Sequence, residues 1–347
     1  MGASVKKERD VGLDLVRVVA TLIVVCGHYS FALGRRGEEG YTNYLAFFVN
    51  GEWPLAAVSM FLALSGAVLW QNDRGCTNWK GFFKRRWLTL YPVFYLAWAG
   101  AYFAQVCSTG RLFWGGHPAK LLLTLVGMDN YLAYRVPGYG LVGEWFFGAI
   151  VLLYLLFPVL CRCFERRPAL TMAAAGGAYA VLLFWYPLQI DPHRNLVTCV
   201  FTFLCGFCIQ RWRCLRQPAV AAGAAAVVVL MRTVPLHLPS PLGDTLTGLC
   251  LLLAIQALGT PLQRSAAASR CIIWLSRYTF PVILVHHVLA VSLAAHIPGP
   301  FYIWRGSLFL AVTLVASLGF GVALKVCSDH LIATVRGRVH RQREEQL

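Results

Sequence analysis

The sequence predicts an all-α fold, a polytopic membrane bundle of about ten transmembrane helices with both termini in the cytoplasm. The first observation is composition: of 347 residues, 58% are hydrophobic and only 13% are charged, about half the charged share of soluble domains. The second is that apolar runs of membrane-spanning length recur along the whole chain. The third is that basic residues alternate between loops in the way that fixes membrane topology. We therefore expect one integral-membrane domain over residues 1–347, with a basic tail at 330–347.

Ten segments are long and apolar enough to be predicted as spanning helices. They are 12–33, 55–71, 87–108, 141–161, 169–187, 195–210, 218–231, 242–262, 272–294 and 306–327. The stretch 119–128 is too short to cross a bilayer, so we expect it to be re-entrant or interfacial. Lys6, Lys7 and Arg9 precede the first run as in a signal peptide, but no small-residue cleavage site follows cleanly, so we expect a retained first span.

The distribution of basic residues supports this topology. With the N-terminus inside, 20 of the 31 Lys and Arg residues fall in cytoplasmic segments and eight fall on the opposite side. The net charge of +16 is thereby explained by topology, and we expect no nucleic-acid partner. Most of the 12 cysteines lie in apolar runs, where thiols pack as small hydrophobic groups. Their spacing predicts neither a disulfide framework nor a metal site.

The first apolar run, LDLVRVVATLIVVCGHYS, contains three residues that resist transfer into lipid, namely Asp14, Arg17 and His28. A helix turns about 100° per residue, so Arg17 and His28 lie about 20° out of phase and share one face with Asp14. Asp14 and Arg17 could be no more than an ion pair at the cytoplasmic edge, where Arg can snorkel. His28 lies about 16 Å further along the axis. It is either a buried, satisfied histidine or a catalytic or proton-carrying one, and the second interpretation is favoured.

A basic cluster, GFFKRRWLTLYP, places Lys84, Arg85 and Arg86 at the cytoplasmic entry to the third predicted span. The cluster could simply anchor the helix by the positive-inside rule. Alternatively it is a phosphate clamp, because guanidinium groups offer planar, permanent donors to phosphate oxygens. Arg17 would lie at the same depth and could share a phosphorylated cofactor with it.

Two later segments also carry polar residues into or beside spans. RYTFPVILVHHVLA puts His286 and His287 inside the ninth predicted span, which Pro281 should bend. GEWFFGAIVLLYLLFP puts Glu144 at the outer end of the fourth predicted span. Glu144 could act as an acid or base, or it could pair with Arg135.

In their order along the chain, these segments resemble the acyltransferase family 3 proteins, which are integral-membrane O-acyltransferases, over nearly the whole sequence. LDLVRVVATLIVVCGH matches the family's Asp-Arg-His first helix, and VSMFLALSGAVL matches its second helix at Ser65. KRRWLTLYP matches the Arg cluster before a proline, WFFGAIVLLYLLFP matches an aromatic motif, and TFPVILVH selects His286 over His287. Two positions depart from the family pattern: Thr89 replaces a second Arg of the cluster, and Ile283 replaces a Tyr.

The resemblance implies transfer of an acyl group, usually acetyl from acetyl-CoA, to a hydroxyl of a surface polysaccharide or lipid-linked glycan. It implies a multi-pass protein of the bacterial inner membrane, in contact with membrane lipid. We expect His28 to be catalytic, with help from Glu144 or His286, and we expect no metal. The expected residues of the acyl-CoA site are Asp14, Arg17, Ser65, Arg85 and Arg86. Lys84 is an alternative to Arg85 in the clamp, given Thr89.

A secondary transporter or flippase of glycan precursors is the alternative class, since it too would use buried His and Arg in a ten-helix bundle. An inverted repeat of two similar halves would favour it, and the sequence shows none. A channel would need a polar stripe on several helices, whereas the polar residues here concentrate in four predicted spans. The sequence therefore favours the acyltransferase.

Overall fold

A computed structural model describes residues 9–37, 45–129, 131–185, 190–296 and 303–344 of the chain. In the last of these segments, the side chains are described for residues 304–336. Lys6, Lys7, the final two residues of the fifth predicted span and the side chains of the basic tail beyond 336 lie outside the described residues.

The described chain is mostly helical. Its helices are α1 (Val11–Gly34), α2 (Trp53–Asp73), α3 (Trp79–Thr109), α4 (Leu121–Leu125), α5 (Glu144–Arg166), α6 (Pro168–Phe184), α7 (Leu196–Arg211), α8 (Pro218–Thr233), α9 (Ser240–Ala257), α10 (Gly259–Gln263), α11 (Ala266–Ser276), α12 (Thr279–His296) and α13 (Ile303–Glu344). Short 3-10 turns occur at Pro118–Lys120 and Arg213–Arg216. The strands β1 (Phe47–Phe48) and β2 (Gly51–Glu52) form a small antiparallel hairpin.

Six helices within the described residues are long and apolar enough to cross a membrane. They are Val11–Gly34, Trp53–Asp73, Glu144–Arg166, Ser240–Gln263, Thr279–His296 and Trp304–Arg336. Each of the ten predicted spans overlaps a helix, and 119–128 forms only a 3-10 turn and α4. The all-α membrane bundle is therefore confirmed. The count of ten spans and the cytoplasmic placement of the termini stay predictions.

Helix α2 lies at the centre of the bundle, where it packs against α1, α7 and α9. Its contact with α7 depends on two glycines. A Cβ on Gly66 would collide with the backbone carbonyl of Phe203, and a Cβ on Gly206 would collide with that of Ala63. Small residues let membrane helices approach closely. On its other side α1 packs against α12, so the polar face of α1 lies between two helices.

The ninth predicted span is interrupted between α11 and α12. Helix α11 ends at Ser276 and α12 begins at Thr279. Pro281 is the third residue of α12, where backbone N–H groups have no partner in a preceding turn, so the proline removes no helical hydrogen bond. The prediction that Pro281 bends a continuous span is wrong, because the break precedes it at Arg277 and Tyr278.

The hairpin is fixed to the bundle by two side chains. Asn50, at the turn, donates to the carbonyl of Met231 at 2.8 Å and accepts from the N–H of Leu236 at 2.8 Å. The N–H of Glu52 donates to Asp244 Oδ1 of α9 at 2.7 Å. The hairpin therefore forms a fixed wall near the C-terminal end of α1.

Candidate active site

Three histidines meet between α1 and α12. The ring of His28 lies 4.8 Å from that of His286 and 5.5 Å from that of His287, measured between centroids. Both pairs are nearly perpendicular, with interplanar angles of 86° and 82°. The structure thus brings together the two histidines that the sequence singled out and places His287 beside them.

Backbone carbonyls orient two of these rings. Nδ1 of His28 contacts the carbonyl of Val24 at 3.0 Å, and Nδ1 of His286 contacts that of Ile283 at 2.7 Å. A carbonyl only accepts, so in each neutral ring Nδ1 carries the proton and Nε2 keeps its lone pair. Nε2 of His286 is buried and has no hydrogen-bond partner among the described residues. The pair therefore offers basic nitrogens in an apolar setting.

The histidines line a cavity of about 190 Å³, the His28 cavity. Its remaining walls come from α1, α2, α5, α12 and the segments before α5 and α7, with residues Val24, Val58, Phe61, Gly140, Leu141, Gly143, Trp145, Phe146, Arg194 and Ile283. The cavity is mostly apolar with a few polar groups, as is usual for a small-molecule site.

Glu144 is fully buried but is not among the residues lining this cavity. Its Oε1 accepts hydrogen bonds from the N–H groups of Leu141 at 2.6 Å and Val142 at 3.0 Å. It therefore folds the loop that supplies Leu141 and Gly143 to the cavity wall. Arg135 is exposed beside Tyr134, and no ion pair joins it to Glu144 in the described structure. A direct acid or base role for Glu144 stays a prediction.

At the other end of the polar face of α1, Arg17 is held by a carboxylate. Asp14 is buried, with 3% of its surface exposed, and its Oδ1 lies 3.1 Å from Nη1 of Arg17. Arg9 also pairs with Asp14 and donates through Nη2 to Ser276 Oγ at 2.9 Å. The hydrogen bond to Asp14 raises the pKa of Arg9, so this guanidinium stays charged.

A second carboxylate, Asp73 at the end of α2, holds the basic cluster. Its Oδ1 lies 3.1 Å from Nη2 of Arg85, and its Oδ2 pairs with Nη2 of Arg86. Arg86 is the more enclosed of the two, and its guanidinium lies over the ring of Tyr154, 5.6 Å from the centroid. Lys84 and Arg85 are both exposed.

A cavity of about 310 Å³, the Arg17 cavity, joins these two groups. Arg17, Ser65 and Arg86 all line it, and Ser65 Oγ donates to the hydroxyl of Tyr154 at 3.3 Å. Arg85 does not line it, but Thr89 does. Three apolar residues line both this cavity and the His28 cavity: Phe61, Phe146 and Ile283. The two cavities therefore meet at a shared apolar boundary.

Two further cavities reach His28 from the C-terminal end of α1. The Arg35 cavity, about 650 Å³, is lined by His28, Ser30, Phe31, Ala32, Gly34, Arg35, Phe47, Arg194, His287 and Val291. The Trp145 cavity, about 490 Å³, is lined by His28, Phe31, Glu52, Pro54, Leu55, Val58, Trp145, Asp191, Pro192, His193, Arg194, Ser240 and Pro241. Arg194 borders both, and its guanidinium lies 5.1 Å from the centroid of the Trp145 ring.

A histidine between two carboxylates fixes the loop that carries Arg194. Nδ1 of His193 lies 3.0 Å from Asp191 Oδ1, and Nε2 lies 2.7 Å from Oδ2 of the fully buried Asp244. Burial alone would lower the pKa of His193, but the two hydrogen-bonded carboxylates raise it to about 9. The same contact lowers the pKa of Asp191, while burial and then Asp244 raise the pKa of Glu52. His193 is therefore an imidazolium at neutral pH.

The structure brings most of the predicted site residues together in two groups, and two predicted residues lie outside both groups. His28 and His286 lie together, as do Arg17, Ser65 and Arg86. Asp14 supports Arg17, whereas Glu144 and Arg85 lie outside the cavities. Sequence reasoning missed a second set, comprising Asp73, Tyr154, His193, Arg194 and Asp244. Of these, only Tyr154 lay within a motif already singled out.

Within the described residues, no group of three or more His, Cys, Asp or Glu side chains has an arrangement that could hold a metal ion. The 12 cysteines are free thiols.

Comparison with known proteins gives one finding. The family model described as an acyltransferase domain, Acyl_transf_3, matches residues 10–326, nearly the whole chain. No curated protein and no solved structure matches the chain. The matched range contains both cavity groups described above.

Proposed function

The chain belongs to the acyltransferase 3 family of multi-pass integral-membrane proteins, and on that premise we propose that it is an O-acetyltransferase. It moves acetyl from cytoplasmic acetyl-CoA to a hydroxyl of a cell-surface polysaccharide or lipid-linked glycan, in a bacterial inner membrane. The observation that carries the proposal is the shared boundary between the Arg17 and His28 cavities. One cavity suits an anionic cofactor, and the other presents a basic nitrogen.

In this proposal the Arg17 cavity receives the phosphates of CoA. Arg17 and Arg86 each keep one carboxylate partner, Asp14 or Asp73, which orders the guanidinium before the ligand arrives. Their remaining N–H groups face an apolar cavity, where a phosphate forms charge-assisted hydrogen bonds. Arg85, which is 59% exposed, contributes mainly by sharing Asp73.

The pantetheine arm then passes Phe61, Phe146 and Ile283 to bring the thioester to His28. Nε2 of His28 takes the proton from the acceptor hydroxyl, whose oxygen attacks the thioester carbon. The C–O bond forms, the C–S bond breaks, and the proton passes from His28 to the departing CoA sulfur. General-base assistance of this kind is typically worth about 10²–10⁴-fold in rate.

His286 positions His28 in this scheme. Its ring packs edge-on against that of His28, with centroids 4.8 Å apart, and its own Nδ1 is occupied by the carbonyl of Ile283. Glu144 acts indirectly, by accepting hydrogen bonds that fix the loop at Leu141 and Val142. Both assignments leave His28 as the catalytic residue.

The test is acetyl-CoA turnover by the purified full chain in lipid nanodiscs, followed by release of the free CoA thiol. We expect turnover that rises when glycan acceptor is added. Rapid acid quenching with radiolabelled acetyl-CoA separates direct transfer from a covalent route, since an acetyl-imidazole would leave label on the protein. Glycan translocation without any acetyl-CoA consumption would instead establish the transporter class and overturn the proposal.

A further inference from the structure

The two cavities at the C-terminal end of α1 differ in charge. The Arg35 cavity is lined by Arg35, Arg194, His28 and His287, and no acidic side chain is among the described residues that line it. The Trp145 cavity contains the carboxylates of Glu52 and Asp191, the His193 imidazolium that pairs with Asp191, and the hydroxyl of Ser240. Both share His28, Phe31 and Arg194. A ligand lying across both would meet cations on one side and hydroxyl-binding groups on the other.

The cationic side is held in place. Arg194 lies one residue after His193, which is clamped between Asp191 and the buried Asp244. The nearest carboxylate to Arg194 is that of Asp191, whose Oδ2 is 4.0 Å from its Nε, beyond hydrogen-bond distance. The Arg194 side chain is 39% exposed, so its guanidinium can donate to a ligand. Arg35, an exposed residue that caps the C-terminal end of α1, lines the same cavity.

The polar side suits a sugar. Carboxylate oxygens accept hydrogen bonds from hydroxyl groups, and the flat indole of Trp145 offers an apolar surface to a ring. The cavity of about 490 Å³ has room for at least one sugar unit, and His28 borders it. A hydroxyl of that unit would lie next to the proposed catalytic base.

We propose that the acceptor is a carbohydrate carrying a negatively charged group, a carboxylate or phosphate, which Arg35 and Arg194 bind in the Arg35 cavity while the acylated sugar occupies the Trp145 cavity. This inference rests on the proposed acetyl transfer and adds the acceptor's charge to it. Among the described residues, no carboxylate lines the Arg35 cavity beside these two guanidinium groups, so an anionic group of the acceptor would supply the missing charge there.

The test compares charged and neutral acceptors of the same size on the full chain in nanodiscs. One arm uses trigalacturonate and its carboxyl-reduced form, galactotriose. The other uses galactotriose joined to a polyprenyl chain through a diphosphate or through an uncharged ether. Each compound is scored as an acceptor and as an inhibitor of acetyl-CoA hydrolysis. We expect a preference of about tenfold or more for the charged member of at least one pair, from a charge-assisted hydrogen bond.

Variants assign the preference to the cavity. Arg194→Gln and Arg35→Gln should each reduce the charge preference about tenfold, while Arg194→Lys keeps part of it. Arg135→Gln, an exposed arginine outside both cavities, is the matched control and should change nothing. The arm that shows the preference identifies a sugar carboxylate or a lipid diphosphate as the source of the charge.

Two results would overturn the inference. One is equal use, or no engagement at all, of the charged and neutral members in both arms. The other is a charge preference that survives both arginine substitutions. Acetyl-CoA hydrolysis without added carbohydrate is measured in parallel. Absence of acetyl-CoA consumption by the wild-type chain, with and without carbohydrate, would indicate failure of the proposed function, whereas consumption without charge preference indicates failure of this inference alone.

Discussion

The two ends of the polar face of α1 are built on different principles. At the N-terminal end, carboxylates hold the cations: Asp14 pairs with Arg17, and Asp73 pairs with Arg86. Eleven residues along the helix, His28 has no carboxylate partner in the described structure, and its Nδ1 contacts only the backbone carbonyl of Val24. Charged groups therefore have charged partners, and the imidazole has a neutral one.

This difference matches two chemical tasks. A guanidinium that must bind phosphate benefits from being ordered and charged beforehand, which a buried carboxylate provides. An imidazole that must accept a proton needs a free lone pair on its second nitrogen. A neighbouring carboxylate would stabilise the protonated ring, in which that lone pair is already occupied. The comparison predicts that substitutions at the histidine end change the rate of transfer, while those at the arginine end change affinity for the donor.

The largest effect is expected from His28→Ala. Acetyl transfer should fall about 10²–10⁴-fold because the general base is lost, with little change in KM for acetyl-CoA. Initial rates at varied acetyl-CoA measure both. His296→Ala is the matched control, since His296 makes the same Nδ1 contact, to the carbonyl of Ser292 at 2.7 Å, but is exposed. Near-wild-type turnover by a correctly inserted His28→Ala chain would remove His28 from the mechanism.

Arg17→Gln and Arg86→Gln should mainly weaken donor binding. We expect KM for acetyl-CoA to rise about 10–100-fold with a smaller change in kcat, because charge-assisted hydrogen bonds to phosphate are lost. Arg85→Gln is the control within the same cluster, because Arg85 shares Asp73 but does not line the Arg17 cavity. Equal effects of the Arg85 and Arg86 substitutions would show that the cavity does not distinguish them.

Two substitutions of Glu144 distinguish a role in positioning the loop from direct proton transfer. Glu144→Gln keeps a side-chain oxygen for the N–H groups of Leu141 and Val142, so we expect activity within about threefold of wild type. Glu144→Ala leaves both N–H groups unpaired, at about 1–3 kcal/mol each, and should lower both kcat and thermal stability. If Gln is as damaging as Ala to kcat while stability is retained, Glu144 transfers protons itself.

The smallest effect concerns the clamp at His193. Because the folded state raises the pKa of His193 to about 9, its stabilising charge is fully present below the unfolded value of about 6.5 and is lost as pH rises through 9. His193→Gln should therefore lower the Tm by about 2–8 °C at pH 6.5, and by progressively less as the pH rises from 6.5 through 9. Thermal unfolding across this range, with the exposed His117→Gln as control, measures it. A Tm difference independent of pH would contradict the clamp.

The common face of Arg17 and His28 on α1 could be predicted from the sequence, because it depends only on their spacing within one helix. The spacing from Arg17 to His28 fixes their common face on one helix, whatever the rest of the chain does. The same holds for the existence of the helices, since apolar runs of this length have few alternatives in a bilayer. Pairing of His28 with His286 required the resemblance to a family, because the two are far apart in the chain.

The missed residues share a physical reason. Asp73 lies 13 positions from Arg86 across a turn, and Asp244 lies 51 positions from His193, so neither contact has a local sequence pattern. In the sequence, nothing distinguishes Arg194 from the other basic residues of the predicted loops. The break before Pro281 was misplaced because a proline within an apolar run has the same sequence signature in a kinked span and in the first turn of a new helix.

The boundary of Phe61, Phe146 and Ile283 has a consequence beyond guiding the donor. Water-filled recesses that approach one another from opposite faces of a membrane create a path for ions and protons. An apolar constriction between such recesses disfavours a continuous water column. Each elementary charge that crosses the membrane potential carries about 2.3 kcal/mol per 100 mV. On the predicted topology, these three side chains would therefore let the protein keep both cavities open without discharging the membrane.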